Sequence, residues 1–419
     1  MVEDLAIQET AGKVAIAETE PLKLRESPQR PTRNLVTVKN VVILGATGSI
    51  GDSTLDVLRH LGENFNILGL SGGRQLEKLS KCVSEWEPSH VCVGEADDVS
   101  VVAKNFRGEI FSGSDGLCVL ASHSDADIVI NGLVGSVGLR PTLAALEAGK
   151  IVAIANKEPL VMAGSLIKEA ARRFGGEILP LDSEPNAIWQ CLHGEEESSL
   201  RRIILTASGG PFRGRKMSEL GAITPEEALQ HPTWKMGDKI SVDSATLMNK
   251  GFEVIEAACL FNISVECVEV VVHRQSVVHS LVELVDGSIL AHMGETDMRL
   301  PIQYALTYPH RSASPLDFLD LTKVGQLSFE EPDRENFPCL DLCYMAGRIG
   351  NGAQTVLNAA NEVSVSSFLE RKISFLDIFE LNSDMLSLHG HEKAGDIEEI
   401  LCLDEMVRAT SVEWVAGRG

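Results

Sequence analysis

Residues 41–51, VVILGATGSIG, constrain the fold more than any other part of the chain. Val41, Val42, Ile43 and Leu44 form a short run without a polar interruption, mostly β-branched. That is the pattern of a strand buried on both faces of a parallel sheet. The run passes straight into glycines at 45, 48 and 51, then into apolar positions at Leu55, Val57, Leu58 and Leu61 with helical spacing. In such a strand–turn–helix the first glycine allows a tight turn and the second lets the backbone approach a pyrophosphate. The third permits close helix–strand packing. The amides of Thr47, Gly48, Ser49 and Ile50, backed by the helix dipole, would meet the phosphate charge. A glycine turn with a purely structural role is the competing reading.

Further strands are predicted at 65–70, 90–93, 127–130, 151–155 and 177–181, with helices at 76–86 and 139–148 among them. This alternation predicts an α/β fold that starts with a doubly wound, Rossmann-like parallel sheet over 40–180. A central α+β domain over 181–312 carries strand patterns at 203–206, 267–272, 277–284 and 288–293. The Asp286-Gly287 turn makes the last two antiparallel. After a linker at 313–336, helical repeats at 340–349, 353–371 and 375–388 predict a C-terminal helical bundle over 337–419. Residues 1–39 contain Glu3, Asp4, Glu9, Glu18, Glu20 and Glu26 with three prolines, which suits neither a secretory signal nor an acid-poor transit peptide. A disordered extension is expected there.

At 419 residues the chain has room for two or three domains, and 44% hydrophobic content supplies their cores. A formal net charge of −23 argues against a general nucleic-acid binder, although a few local lysines and amides can still hold a phosphate. Nine dispersed cysteines without a CxxC pair point to a reducing compartment, and Cys339 and Cys343 read as small apolar residues on one helix face. No apolar run suffices to span a bilayer, so a cytoplasmic protein without a membrane partner is expected.

Candidate chemistry is concentrated in three places. The second strand ends in Ser71-Gly72-Gly73-Arg74, without the acid that would bind a ribose 2′-OH. Arg74 either pairs with a 2′-phosphate, favouring NADPH, or is a solvated surface residue. Asp182 and Glu184 lie two apart at the end of a predicted strand, so alternation puts both on one face, where their repulsion calls for a cation or proton. Pro185 is expected to hold Glu184 extended. In 231–256, HPTWKMGDKISVDSATLMNKGFEVIE, dense polar groups suit a small anionic, oxygen-rich ligand. Asn249 and Glu253 share a helix face there, with Lys250 near its edge. Should Glu253 join Asp182 and Glu184, the three form a hard site for Mg²⁺ or Mn²⁺; solvated surface acids are the alternative. Trp234 reads as a loop residue among Pro232, Thr233, Lys235 and Gly237, against a core aromatic.

Taken together, GATGSIG (45–51), ANKE (155–158), LDSE (181–184), LTASGGPFR (205–213), the segment 231–253, VVHRQSVVHS (271–280), GETDMRLPI (294–302) and LNAANE (357–362) resemble the motifs of the 1-deoxy-D-xylulose 5-phosphate reductoisomerase family. They occur in the family's order and cover nearly everything after residue 40. The resemblance implies an enzyme of the non-mevalonate isoprenoid pathway. It would convert 1-deoxy-D-xylulose 5-phosphate to 2-C-methyl-D-erythritol 4-phosphate by skeletal rearrangement at a divalent metal, then reduction by NADPH. Asp182, Glu184 and Glu253 would hold Mg²⁺ or Mn²⁺, with Co²⁺ a further option. Lys157, Ser183, Ser208, His231, Ser244, Asn249 and Lys250 would bind the phosphorylated sugar, the last five around its phosphate. Lys157 and His231 join the three acids as the catalytic set. Thr47, Gly48, Ser49, Ile50, Gly73, Arg74, Gln75, Asn156, Glu158 and Gly237 would contact NADPH. The resemblance also implies a closing flap around Trp234 and a homodimer.

The chain departs from the family pattern at a few positions. Pro185 stands where the family usually has histidine, removing an imidazole and a backbone N–H beside two of the acids. An intact metal site with altered turnover or metal preference is expected. Arg274 follows His273 where proline is common, with little effect expected, and the loop near 195–199 is shorter than in many relatives. Two other readings keep the nucleotide domain. One is a plain NADP dehydrogenase of the semialdehyde or homoserine type without metal chemistry. The other is a regulatory or scaffold protein that binds NADPH without turnover.

Overall fold

The computed structural model describes residues 38–103, 106–234, 236–350 and 352–418. Residues 1–37 of the expected extension lie outside them, and the first strand begins at Lys39. Seven strands, β1 (Lys39–Leu44), β2 (Phe65–Gly72), β3 (His90–Val93), β4 (Glu109–Ser112), β5 (Ile128–Asn131), β6 (Ile151–Ile154) and β7 (Glu177–Pro180), form a parallel sheet ordered β4-β3-β2-β1-β5-β6-β7. Val41 and Ile43 pack on one face with Leu55, Leu58 and Leu70, while Val42 and Leu44 pack on the other with Val129, Leu143 and Leu146. Both faces are covered, which is why the β1 sequence reads as an unbroken apolar run rather than an alternating one. Edge strand β4 (EIFS) is only partly buried and has no such run, so the apolar pattern did not reveal it. The chain order reverses between β1 and β5, and a sheet of this topology has its crevice at the carboxyl ends of the strands flanking that reversal.

A second sheet, from β8 (Leu200–Ala207), β9 (Val268–Val272), β10 (Val278–Leu284) and β11 (Ile289–Met293), is ordered β11-β10-β8-β9. Strands β8 and β9 are parallel, and β10 is antiparallel to both its neighbours, as the Asp286-Gly287 turn predicts. Ile203, Leu205, Val270 and Val282 share a core with Val254 of the Met248–Leu260 helix and with Val356, Phe368, Leu381 and Val407 of the C-terminal helices. Those helices are Cys339–Ile349, Ala353–Leu369, Phe375–His389 and Ile397–Ala416. Ile400, from the last, reaches the core of the first sheet, so the bundle braces both sheets. The Arg299–Thr307 helix follows the second sheet in the chain, yet it puts Ile302, Tyr304 and Leu306 into the first sheet's core beside Trp189. Within 313–336, Glu330 exchanges backbone hydrogen bonds of 2.7 and 2.9 Å with Val272 and so covers part of the β9 edge. Among the described residues no helix is long and apolar enough to cross a membrane.

Candidate active site

The carboxyl ends of β1, β5, β6 and β7 lie side by side, so the loops that follow them converge. They bring Gly48, Ser49 and Ile50, then Leu133 and Val134, then Asn156, Lys157 and Glu158, then Asp182, Ser183 and Glu184 to one cavity of about 630 Å³. Ser208, His231, Gly237, Ser244, Asn249, Lys250 and Glu253 line it from the side of the second sheet. Of the residues singled out from the sequence, Thr47, Gly73, Arg74 and Gln75 do not line it. Thr47 is buried in the glycine turn, and 73–75 are exposed just past the end of β2.

The three glycines of the turn have different reasons to be glycine. Gly45 has φ +82° and a Cβ there would stand 2.8 Å from the Gly132 carbonyl oxygen. A Cβ on Gly51 would come within 2.4 Å of the Ala46 backbone, so the helix could not lie so close to its strand. At Gly48 the nearest atom would be the Gly45 oxygen at 3.4 Å. The chain's own packing leaves that space open, and it faces the cavity. One detail differs from expectation: the Gly48 N–H is already bonded to the Gly45 oxygen at 3.0 Å, so not all four amides of 47–50 are free for a phosphate.

The acids meet by a different geometry from the one the alternation suggested. Strand β7 ends at Pro180, and Asp182 is the N-cap of the Ser183–Cys191 helix, accepting the Ser183 N–H at 3.0 Å. Glu184 and Pro185 lie in that helix's first turn, so Pro185 does not hold Glu184 extended. The missing N–H of Pro185 belongs to a first turn whose amides have no intrahelical acceptor, which makes proline cheap at this position. Asp182, Glu184 and Glu253 each offer an oxygen within 4.8 Å of the others. Lys157 Nζ sits 2.5 Å from Asp182 Oδ2 and 2.9 Å from Glu253 Oε1; Lys250 Nζ sits 2.7 Å from Glu184 Oε1 and also contacts Glu253. Asn249 donates to Glu253 Oε1 at 2.5 Å, and Ser183 Oγ donates to Glu184 Oε2 at 2.5 Å.

Three carboxylates against two ammoniums leave this buried cluster net negative, and the hard oxygen donors fit a small divalent cation. Burial works against the charge on Lys157, but Asp182 and Glu253 outweigh it and hold the ammonium well above its usual range. Burial pushes Asp182 up to about 6 despite Lys157, with Glu253 and Glu184 adding to the push. Burial also opposes the Glu253 charge, and Lys157 and Lys250 overcome it.

His231 Nδ1 faces the amides of Thr233 (3.3 Å) and Trp234 (2.9 Å), so it must be the unprotonated nitrogen. Its Nε2–H then donates to Ser208 Oγ at 2.9 Å, a tautomer assigned from the network. Burial, helped by Lys250, pushes this imidazole down to about 4, so it is neutral near pH 7. Trp234 is a half-buried loop residue whose ring lies 6.3 Å from that of His279, not a core aromatic. Thr233 Oγ1 meets Ser276 Oγ at 3.4 Å. Lys235 lies outside the described residues.

Sequence reasoning did not single out His279, which lines the cavity, nor the Lys239 bridge to Glu158 and Asp243, both at 2.7 Å. The i,i+4 spacing of Lys239 and Asp243 was a readable signal. It also passed over Glu256, whose side chain is fully buried with neither carboxyl oxygen hydrogen-bonded. Burial, then Asp182, push that carboxyl well above its usual range.

With the glycine turn and the acidic trio opening onto the same space, the chain has the architecture of a nucleotide-dependent α/β oxidoreductase. It belongs to the 1-deoxy-D-xylulose 5-phosphate reductoisomerase family. The family profile of that description matches residues 41–164, and profiles for its C-terminal domains match 178–261 and 293–410. A 1-deoxy-D-xylulose 5-phosphate reductoisomerase of Ectopseudomonas mendocina is 46% identical over 390 residues, covering 91% of this chain and 99% of its own. One of Bacillus cereus is 47% identical over 380 residues, covering 90% and 100%. The fold matches a crystal structure of DOX-P reductoisomerase in complex with NADPH, fosmidomycin and magnesium, with a TM-score of 0.87 and 40% identity over 90% of this chain and 98% of that one. It also matches the Zymomonas mobilis 1-deoxy-D-xylulose 5-phosphate reductoisomerase in complex with NADPH, with a TM-score of 0.83 and 41% identity over 90% and 99%.

Proposed function

We propose that the chain catalyses the NADPH- and divalent-metal-dependent isomerisation and reduction of 1-deoxy-D-xylulose 5-phosphate to 2-C-methyl-D-erythritol 4-phosphate, in the non-mevalonate isoprenoid pathway. The observation that carries this reading is the meeting of Asp182, Glu184 and Glu253 with Lys157 and Lys250 in the crevice that also receives the glycine turn. Mg²⁺ or Mn²⁺ suits these donors, with Co²⁺ a further option, and such a cation supplies Lewis acidity toward neighbouring oxygens of the substrate.

The other roles fall to the chain's own groups. Lys157, kept protonated between Asp182 and Glu253, puts a cationic donor beside the same oxygens. Ser208, Ser244, Asn249 and Lys250 offer neutral donors and one cation to a phosphate dianion, with neutral His231 donating through Nε2. Ser183 completes the substrate set. Thr47, Gly48, Ser49, Ile50, Gly73, Gln75, Asn156, Glu158 and Gly237 are assigned to NADPH, and Arg74 to its 2′-phosphate. Closure of the loop around Trp234 would exclude water from the aldehyde being reduced.

The working division is a nucleotide domain at 40–180, a catalytic domain at 181–312 and a helical domain at 337–419, with the Arg299–Thr307 helix returning to the first sheet. All nine cysteines are unpaired, which supports a reducing compartment, and the cytoplasm is our assignment. A homodimer joined through an edge of the second sheet completes the reading.

The test is NADPH oxidation with 1-deoxy-D-xylulose 5-phosphate, with and without chelator. Turnover should vanish with EDTA and return with Mg²⁺ or Mn²⁺, and Asp182→Asn should abolish it. Oxidation that persists after exhaustive chelation would favour a plain dehydrogenase and remove this reading.

A further inference from the structure

The cavity loop at 132–138 is held from behind by the C-terminal helices. Leu133 and Val134, which line the cavity, lead into the Gly135–Gly138 turn. On the nucleotide side, Asn156 Nδ2 donates to the carbonyls of Leu133 at 2.6 Å and Gly135 at 3.0 Å. On the opposite side, Glu362 Oε1 accepts the Ser136 N–H at 3.0 Å, and Arg408 donates to Ser136 Oγ at 3.2 Å. Arg408 is itself paired with Glu362 at 2.9 Å and with Asp404 at 2.6 Å, and Asn358 donates to Glu362 at 3.0 Å. Gly135 has φ +75°, and a Cβ there would stand 2.8 Å from Glu362 Oε1, so loop and carboxylate are fitted to each other. Val134, two-thirds exposed, is thus an apolar residue on a loop tied at both ends beside the glycine turn.

We propose that Glu362 and Arg408 are positioning residues for the nicotinamide cofactor, holding the 132–138 loop in the shape that the bound cofactor packs against. The proposal rests on the assignment of this crevice to NADPH. It gives the C-terminal bundle a part in the cofactor site, although neither residue lines the cavity. Loosening a loop that a ligand needs ordered makes the ligand supply the ordering, so binding weakens more than chemistry slows once the site is filled.

The experiment compares wild type with Glu362→Gln, Arg408→Met, Arg408→Lys and Gly135→Ala. NADPH is titrated by fluorescence without substrate or metal, and KM for NADPH and kcat are then measured in the complete assay. Glu362→Gln, Arg408→Met and Gly135→Ala should raise Kd and KM for NADPH by about three- to thirty-fold, with a smaller effect on kcat at saturating cofactor. Arg408→Lys should recover part of the loss. Hydrogen exchange across 132–138 should be faster in the variants than in wild type. Gly135→Ala strains the loop and crowds the Glu362 carboxylate while Glu362 and Arg408 both remain, so the loop's part in binding is tested even where the ion-pair variants fail to fold. Wild-type affinity in folded variants, or a fall in kcat with KM unchanged, overturns the proposal. A wild-type protein that does not bind NADPH overturns instead the assignment of the crevice.

Discussion

Gly48 and Glu256 show how single positions carry information that their residue types alone do not. Gly48 has an ordinary extended backbone, φ −86° and ψ 178°, so alanine costs no strain there. Gly48→Ala is expected to leave stability unchanged or raise it by up to about 1 kcal/mol, because alanine restricts the unfolded chain. The same methyl enters the space above the turn, and NADPH affinity should fall by about ten-fold, or ~1.4 kcal/mol. Equal NADPH affinity in the two proteins, by fluorescence titration, would show that the cofactor does not approach this backbone. Glu256 is a second case. Burial, then Asp182, work against a charge on this carboxyl, so Glu256→Gln keeps the shape and removes a group that resists ionising. Its unfolding free energy should change by less than about 1 kcal/mol. A loss of several kcal/mol in urea denaturation would mean that the carboxylate is charged and paired.

The β10–β11 hairpin brings His279 and His292 to a ring separation of 5.8 Å. Burial, then His279 and Arg311, push His292 down to about 4, and burial also lowers His279. In the unfolded chain an imidazole takes its proton near 6.5, so between about 6.5 and 4 the unfolded state binds more protons and is favoured. The contribution of His292 is therefore constant above pH 6.5, becomes progressively destabilising as the pH falls to about 4, and changes no further below. Asp182, raised rather than lowered, acts in the opposite direction, so the comparison must be with a variant. Stability of wild type relative to His292→Gln, from denaturation midpoints, should fall steadily between pH 7 and pH 5. A constant difference would place the His292 proton elsewhere.

At the scale of the molecule, Asp182 and Glu184 at the head of the Ser183–Cys191 helix and Glu253 on the Met248–Leu260 helix are held together by two lysines, one at the N-cap of the Glu158–Phe174 helix and one on the Met248–Leu260 helix. A cation that binds only this folded arrangement must stabilise the whole chain by mass action. Adding Mg²⁺ at about a hundred times its dissociation constant should raise unfolding free energy by about 2.7 kcal/mol, seen as a higher Tm, and chelator should reverse it. Asp182→Asn should abolish the shift. An equal shift in that variant would locate the cation away from the acidic trio.

What could be read directly from the chain was local. The Val41–Leu44 run, the glycines at 45 and 51 and the Asp286-Gly287 turn are each legible as a pattern of a few consecutive residues, so they marked the parallel sheet, its nucleotide crevice and the hairpin. Motif resemblance then named the acids, although strand alternation, the physical argument for Asp182 and Glu184, was replaced by a helix cap and first turn. Tertiary structure alone decided that Glu253 meets them, that the Glu256 carboxyl is pushed well above its usual range and that Arg408 reaches Ser136. Burial and charge pairing depend on distances between residues far apart in the chain, and those distances exist only after both sheets and the C-terminal helices have packed.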